Sequence, residues 1–165
     1  MRTLVVIAHN MRSTYNVGSL LRTADGLGVS KLIFTGYTPY PKIANDTRLP
    51  HVIDKLSKQI HKTALGAETY TPWQYKESID STIMEYKSKG FVIVALEQAV
   101  DAVYLPDFNV PDNLVIILGE EVKGISPDVL RICDNIVEIP MLGQKESFNV
   151  VQAAAIMLYH CRYII

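Results

Sequence analysis

Thiols are scarce in this 165-residue chain: Cys133 and Cys161 are the whole supply, and they lack the spacing of a metal-binding pair. Cys161 falls in an apolar run. Two such residues are expected to be core thiols of a reducing compartment, and a cytoplasmic protein follows as the expectation. His9, His51, His61 and His160 are scattered, so no metal is expected. No uninterrupted apolar run reaches bilayer length, which argues against a membrane span. The opening MRTLVVIAHN has one arginine and a short apolar stretch with no small-residue cleavage site after it, so it is expected to be a first strand and not a signal peptide. No G-x-G-x-x-G follows that strand, so a dinucleotide-binding reading lacks its phosphate loop. A Walker A lysine motif and a G-x-S-x-G nucleophile elbow are missing too, which argues against NTP hydrolysis and serine-type hydrolysis. There is no internal repeat, low-complexity tract or linker.

An excess of one charge is likewise absent. The chain has 16 Lys/Arg against 17 Asp/Glu, a net charge of −1, unlike a uniformly basic nucleic-acid binder. The distribution is uneven, however. Residues 1–89 hold 12 Lys/Arg and 7 Asp/Glu, a balance of +5, whereas residues 90–165 hold 4 and 10, a balance of −6. Such polarity can create a basic face that attracts a polyanion, unless folding mixes the two halves. Arg12, Lys42, Arg48, Lys55, Lys58 and Lys62 are the candidate phosphate contacts.

What is present is ordinary for a globular protein: 48% hydrophobic and 20% charged residues. The length suits one α/β domain over residues 1–165. Residues 3–8 (TLVVIA), 31–35 (KLIFT), 91–96 (FVIVAL) and 114–118 (LVIIL) read as buried strands of a mostly parallel sheet. Helical spacing covers residues 17–27 and 51–65, the latter with a basic face of Lys55, Lys58 and Lys62. It also covers residues 74–89 and 127–132, the last after Ser126 as its expected cap. Residues 36–50 hold three prolines and form a long loop of the functional kind. Short strands are expected at residues 68–72 and 102–105. Strands alternating with helices imply a parallel, doubly wound sheet covered on both faces.

The chain reads as organised around residues 139–154, IPMLGQKESFNVVQAA. The segment follows a strand that reads NIVEIP, turns through residues 141–146 with Pro140 and Gly143 as breakers, and meets Ser147 as an expected N-cap. A helix that is apolar almost all round then runs nearly to the chain end, so it is expected to bury more than one side, in its own core or against a second subunit. The loop offers Gln144, Glu146 and Ser147, which suits a small-ligand site and equally an ordinary strand–loop–helix connection.

Three post-strand segments could carry chemistry. The first has Asn16, Gly18, Arg22, Ala24 and Gly28. The second has Gly119, Glu120, Gly124 and Ile125. The third has Ile139, Pro140, Met141, Ser147, Phe148, Asn149, Val150 and Val151. In this order, and over essentially the whole chain, they resemble the SpoU/TrmH-type RNA 2′-O-ribose methyltransferases of the SPOUT superfamily. Phe148 stands where that family usually has leucine, which enlarges an apolar wall. Val151 stands for its second serine, which removes a hydroxyl.

The resemblance implies a doubly wound α/β domain with a C-terminal deep trefoil knot, a homodimer with the last helix at its interface, and S-adenosylmethionine as cofactor. The substrate would be tRNA or rRNA. A base-methylating relative or a catalytically silent RNA-binding module on the same fold are the alternatives. The resemblance also implies that Leu96, Gly119, Ile139, Met141, Ser147 and Phe148 line the cofactor site; core packing is the other reading of the apolar ones. Arg22 would be the catalytic arginine. Guanidinium is effectively always protonated, so Arg22 is expected to grip the phosphate beside the target ribose and not to act as a base. Asn16 would hold the first loop or the ribose. Glu120 and Asn149 would hold Arg22 and the loops, Ser147 would touch substrate or only cap its helix, and Glu121 would be solvated.

Overall fold

In the computed structural model, which describes residues 1–164, seven strands and five α-helices alternate along the chain. The strands are β1 (Thr3–His9), β2 (Lys31–Thr35), β3 (Trp73–Lys76), β4 (Val92–Leu96), β5 (Val103–Tyr104), β6 (Asn113–Leu118) and β7 (Asn135–Glu138). The helices are α1 (Thr14–Gly26), α2 (Pro50–Ala64), α3 (Ile79–Ser88), α4 (Pro127–Ile132) and α5 (Val150–Tyr163). Ile165, the last residue of the expected domain, lies outside the described residues. The strands make one sheet in the order β3-β2-β1-β6-β4-β7-β5, and every pairing is parallel.

Alternation along the strands divides the core in two. Leu4, Val6 and Ala8 of β1 join Leu20 and Leu21 of α1, Ile60 of α2, and Met157 and Leu158 of α5. Val5 and Ile7 face the other way, toward Ile79 and Ile83 of α3 and Val129 of α4. Both faces are therefore covered, and the continuous apolar runs of β1 and β6 follow from that burial. The chain leaves β1 outward through β2 and β3, then returns to build the sheet on the other side of β1. The order reverses at the centre, the usual place for a ligand crevice in an open α/β sheet.

Local corrections have identifiable causes. Residues 68–72 do not form a strand. Leu65 and Gly66 take left-handed conformations at φ 52° and 97°, ending α2 and leading into a 3₁₀ turn at Ala67–Thr69. The strand comes next: residues 74–76, expected to open a helix, extend β3 along the free edge of β2. Trp73 packs on Phe34 and Tyr75 on Tyr40, so the tertiary edge prevails over helical spacing. The helix then waits for Ser78, whose hydroxyl accepts from the Ser81 N–H. Helix α1 starts at Thr14, earlier than its apolar spacing indicated, because Ser13 caps it. Ser126 precedes α4 but its side chain makes no capping bond. β7 ends at Glu138, ahead of Pro140, which has no N–H for the ladder.

Ser147 does not cap α5. Asn149 does: its Oδ1 accepts from Val151 N–H at 2.9 Å, and Gln152 returns a bond to the Asn149 N–H, completing a capping box. At the far end, Arg162 donates to the carbonyls of Leu27, Gly28 and Arg2, tying α5 to the end of α1 and the start of β1. Burial pushes the Cys133 thiol up to about 11 and the Cys161 thiol up to about 12, so both stay protonated at neutral pH. Among the described residues, no helix is long and apolar enough to cross a membrane.

Gly18 permits the α1–α2 contact. A Cβ there would lie 2.2 Å from the Ile60 carbonyl oxygen and 2.9 Å from the Ala64 nitrogen, both backbone atoms. Gly18→Ala is therefore expected to lower stability by about 1–3 kcal/mol, as overpacking does. A chemical-denaturation midpoint equal to that of the wild type would mean that the two helices part freely.

Candidate functional site

Because all strands are parallel, their carboxyl ends share one edge, and the loops after β1, β2, β4, β6 and β7 collect there. The loop after β6 is a tight hairpin. Glu120 N–H donates to the Gly124 carbonyl at 3.1 Å, and Gly124 N–H donates to that of Glu120 at 2.9 Å. Gly124 needs φ 66°, and a Cβ on Gly119 would strike the Gly124 backbone at 2.5 Å. Both glycines of the second segment are thus demanded by the backbone itself.

Between this hairpin, the end of β4 and residues 139–149 lies a cavity of about 490 Å3. Leu96, Gly119, Ile139, Met141, Ser147 and Phe148 all line it, as do Glu120 and Asn149. Sequence reasoning did not single out Glu97, Gln98 or Glu138, which share the wall. Glu97 braces two loops: one oxygen accepts from the Ile125 N–H at 2.8 Å, the other from the Gln98 N–H at 3.0 Å. Gln98 donates from Nε2 to the Glu146 carbonyl at 2.6 Å. The available signal was a polar pair directly following the apolar run FVIVAL.

Glu121, expected to be solvated, instead ties the first loop down. Its carboxylate accepts from the N–H groups of Arg12 (2.9 Å) and Ser13 (3.1 Å) and from Asn16 Nδ2 (2.9 Å). Asn16 Oδ1 in turn accepts from Asn149 Nδ2 at 3.3 Å. Asn16 and Asn149 therefore meet, as part of one polar chain joining all three segments. Burial acts to raise the Glu121 pKa, but the donated hydrogen bonds outweigh it and hold the carboxyl below its usual value.

Neither Glu120 nor Asn149 holds Arg22. Glu120 accepts from the Tyr37 hydroxyl at 2.9 Å and lies 3.6 Å from the Arg12 guanidinium. Arg22 is exposed on α1, does not line the cavity, and among the described residues makes no side-chain hydrogen bond or ion pair. Six residues along a helix is about 9 Å of rise and roughly 240° of rotation, so Asn16 and Arg22 cannot face the same spot.

The basic candidates divide as well. Arg48 is consumed internally. It donates to Asp46 at 2.8 and 2.5 Å and to the carbonyls of Tyr40 and Pro41, with its guanidinium 3.7 Å from the Tyr40 ring centre. It staples the loop after β2 and has four of its five donors engaged, which leaves little for a phosphate. Lys42, Lys55, Lys58 and Lys62 are exposed. Among the described residues, no group of three or more His, Cys, Asp or Glu residues converges as metal ligands would.

The chain matches the profile of the SpoU rRNA Methylase family over residues 3–159. It is 28% identical over 164 residues to a tRNA (guanosine(18)-2′-O)-methyltransferase of Aquifex aeolicus, covering 98% of this chain and 69% of that protein. It is 32% identical over 155 residues to a Staphylococcus aureus protein assigned by name to the TrmH family of tRNA/rRNA methyltransferases, covering 94% of this chain and 56% of that one. The chain thus spans little more than half of the staphylococcal relative. Among solved structures, the Aquifex aeolicus TrmH/SpoU tRNA modifying enzyme superposes with a TM-score of 0.80 at 25% identity, covering 98% of this chain and 75% of that one. AviRb of Streptomyces viridochromogenes, solved in complex with AdoMet, has the same fold: TM-score 0.79 at 24% identity, covering 97% and 57%.

The tie through Glu121 has a pH signature. A depressed carboxyl pKa contributes stability that is present above the unfolded value and lost as pH falls through the folded one. Wild type should therefore be more stable than Glu121→Gln at pH 7, and the gap should narrow at a second pH below the ordinary glutamate range. Paired thermal melts at the two pH values check this. A gap unchanged by pH would mean that the carboxylate charge contributes nothing.

Proposed function

This chain belongs to the SpoU rRNA Methylase family, and from that premise we propose that it transfers the methyl group of S-adenosylmethionine to a ribose 2′-hydroxyl of tRNA or rRNA. The observation that carries the reading is the convergence of three loops on one cavity. The post-β6 and post-β7 loops line it, and Asn16 reaches its rim through Asn149.

The cavity fits the cofactor in kind. Leu96, Ile139, Met141 and Phe148 offer an apolar slot for an adenine, and backbone groups of the post-β6 and post-β7 loops supply donors and acceptors. Glu97, Glu120 and Glu138 bring negative charge to a ligand whose sulfonium and ammonium are positive. S-adenosylmethionine, when bound, supplies an electrophilic methyl group for in-line displacement. The chain's own contribution is positioning, a term that can reach about 7–11 kcal/mol. Arg22 grips the phosphate beside the target ribose and orients the hydroxyl. Its permanent charge rules it out as the base, so the proton leaves to phosphate or solvent. Glu121 and Asn149 hold Asn16, and Asn16 fixes the loop that begins α1. Ser147, exposed at the mouth, touches substrate.

Two further elements belong to this reading. The segment after β7 threads a loop to form a trefoil knot. In support, α5 follows the post-β7 segment and lies along α1 on one face of the sheet, bonded to its start through Asn149–Asn16 and to its end through Arg162. The chain also works as a homodimer through α5. That helix exposes Ile156, Tyr159 and Tyr163, and an apolar groove of about 530 Å3 runs beside it past Leu105, Pro106 and Pro140. The separation of Arg22 from its own cavity is a second reason: across a dimer, the arginine of one copy can serve the cavity of the other.

The test of the activity is methyl transfer from labelled S-adenosylmethionine to unmodified tRNA and rRNA, with nuclease mapping of the product. Ribose 2′-O-methylation is expected. Arg22→Ala should keep cofactor affinity and lose most of the single-turnover rate, and Arg22→Lys should rescue little because an ammonium has no planar fork. A wild-type rate in Arg22→Ala would move the base-methylating reading ahead.

Assembly has its own measurement. If the arginine acts across the dimer, co-refolding equal amounts of Arg22→Ala and Asn149→Ala should recover about a quarter of wild-type activity, since half the dimers are mixed and each mixed dimer has one intact site. No recovery, from a mixture that light scattering finds dimeric, would put Arg22 and the cavity of one copy together.

A further inference from the structure

A second groove, of about 440 Å3, opens on the same edge of the sheet between the loops after β1 and β2. Arg12, Tyr37, Pro39, Tyr40 and Tyr75 are among its walls. Two of its aromatic rings are already engaged. Tyr40 stacks on Tyr75 with centroids 4.2 Å apart at 22°, and the Arg48 guanidinium sits over Tyr40. Tyr37 differs. It is 57% exposed, and among the described residues no aromatic ring or cation pairs with its face.

Yet Tyr37 is held at both ends. Its hydroxyl donates to Glu120, which lines the large cavity, and its backbone N–H donates to Asn10 Oδ1 at 3.2 Å. Asn10 is itself fixed in the left-handed region at φ 57°, and its N–H donates to the Thr35 carbonyl. Gly36 at φ 64° leaves room for the Asn10 side chain, which a Cβ would meet at 2.0 Å. Next door, Thr38 Oγ1 donates to the Ala8 carbonyl and accepts from the Met11 N–H, locking the turn to the end of β1. Arg12 stands beside Tyr37 with its side chain 67% exposed and a single, loose contact to Glu120. Most of its five donors are therefore free.

A flat ring held at its polar tip, open on its face, and flanked by an unspent guanidinium is the arrangement that binds an unstacked nucleotide. We propose that Tyr37 is a stacking platform for a base of the RNA flanking the target nucleotide, and that Arg12 takes the phosphate of that base. The proposal rests on the methyltransferase reading for the identity of the polyanion. The shared Glu120 links this groove to the large cavity, so a strand with its target ribose at the cavity would put a neighbouring base within the groove's reach. Stacking tolerates any base, so the platform would add affinity and register without choosing sequence.

The test uses the full chain and two probes: a short single-stranded oligoribonucleotide and the same backbone with abasic positions, each titrated by fluorescence anisotropy. Tyr37→Leu keeps the bulk and removes the aromatic face. It should weaken binding of the intact oligonucleotide by roughly 5- to 100-fold, the loss of one stacked base, and leave the abasic probe unchanged. Tyr37→Phe keeps the ring and loses only the bond to Glu120, so it should stay close to wild type. Calorimetry with S-adenosylmethionine should give equal cofactor affinity for all three proteins. Equal losses on both probes, no loss on either, or a Phe variant as weak as the Leu variant would each overturn the proposal. Methyl transfer to tRNA by the wild type is measured alongside. No transfer with Tyr37-dependent binding intact would overturn the enzymatic reading alone, and transfer without Tyr37 dependence would overturn the platform alone.

Discussion

Parallel strands bring five loops to one edge of this sheet but leave them free to move against one another. What removes that freedom is the carboxylate of Glu121. It accepts two backbone N–H groups at the amino end of α1 and the side-chain amide of Asn16. Charge-assisted bonds of this kind are about twice as strong as neutral ones, and the positive end of the α1 dipole adds to them. Asn16 then accepts from Asn149, which caps α5. One acidic side chain thereby joins the start of the first helix, the hairpin after β6 and the start of the last helix. The cavity owes its shape to that union, because two of its walls are loops that no strand pairing restrains.

Charge separation along the chain is kept only in part in space, since Lys123 shares the cavity wall with the acidic groups. The acidic groups that line the cavity, Glu97, Glu120, Glu121 and Glu138, all come from the negative half of the sequence. The exposed Lys42, Lys55, Lys58 and Lys62 come from the positive half. A cavity for a cationic ligand can thus sit close to a surface for a polyanion without the two fields cancelling. The arginines divide by how many donors each has left. Arg48 spends its donors on Asp46 and two carbonyls, Arg12 keeps most of its own, and Arg22 keeps all of them. Only the last two keep most of their donors.

By itself the sequence determined the alternation of strands and helices, the burial of β1, β2, β4 and β6, and the family to which the chain belongs. Each of these rests on local information: β-branched runs, apolar spacing, and short motifs whose glycines answer to backbone geometry. The six residues that it offered for a cofactor line one cavity. Its misses were of another kind. Gln74–Lys76 left helical spacing for a strand because the edge of β2 was free to pair with them. The cap of α5 passed from Ser147 to Asn149, and Glu121, expected in solvent, proved to tie down the first loop. Arg48 turned from phosphate contact to staple. Tertiary structure decided these outcomes because each depends on which partner comes within hydrogen-bonding reach. Glu121 and Asn16 are 105 positions apart, and Asn16 and Asn149 are 133. Spacing along a chain records which face a residue occupies, but a carboxylate between two loops finds its donors only after the sheet has brought those loops together.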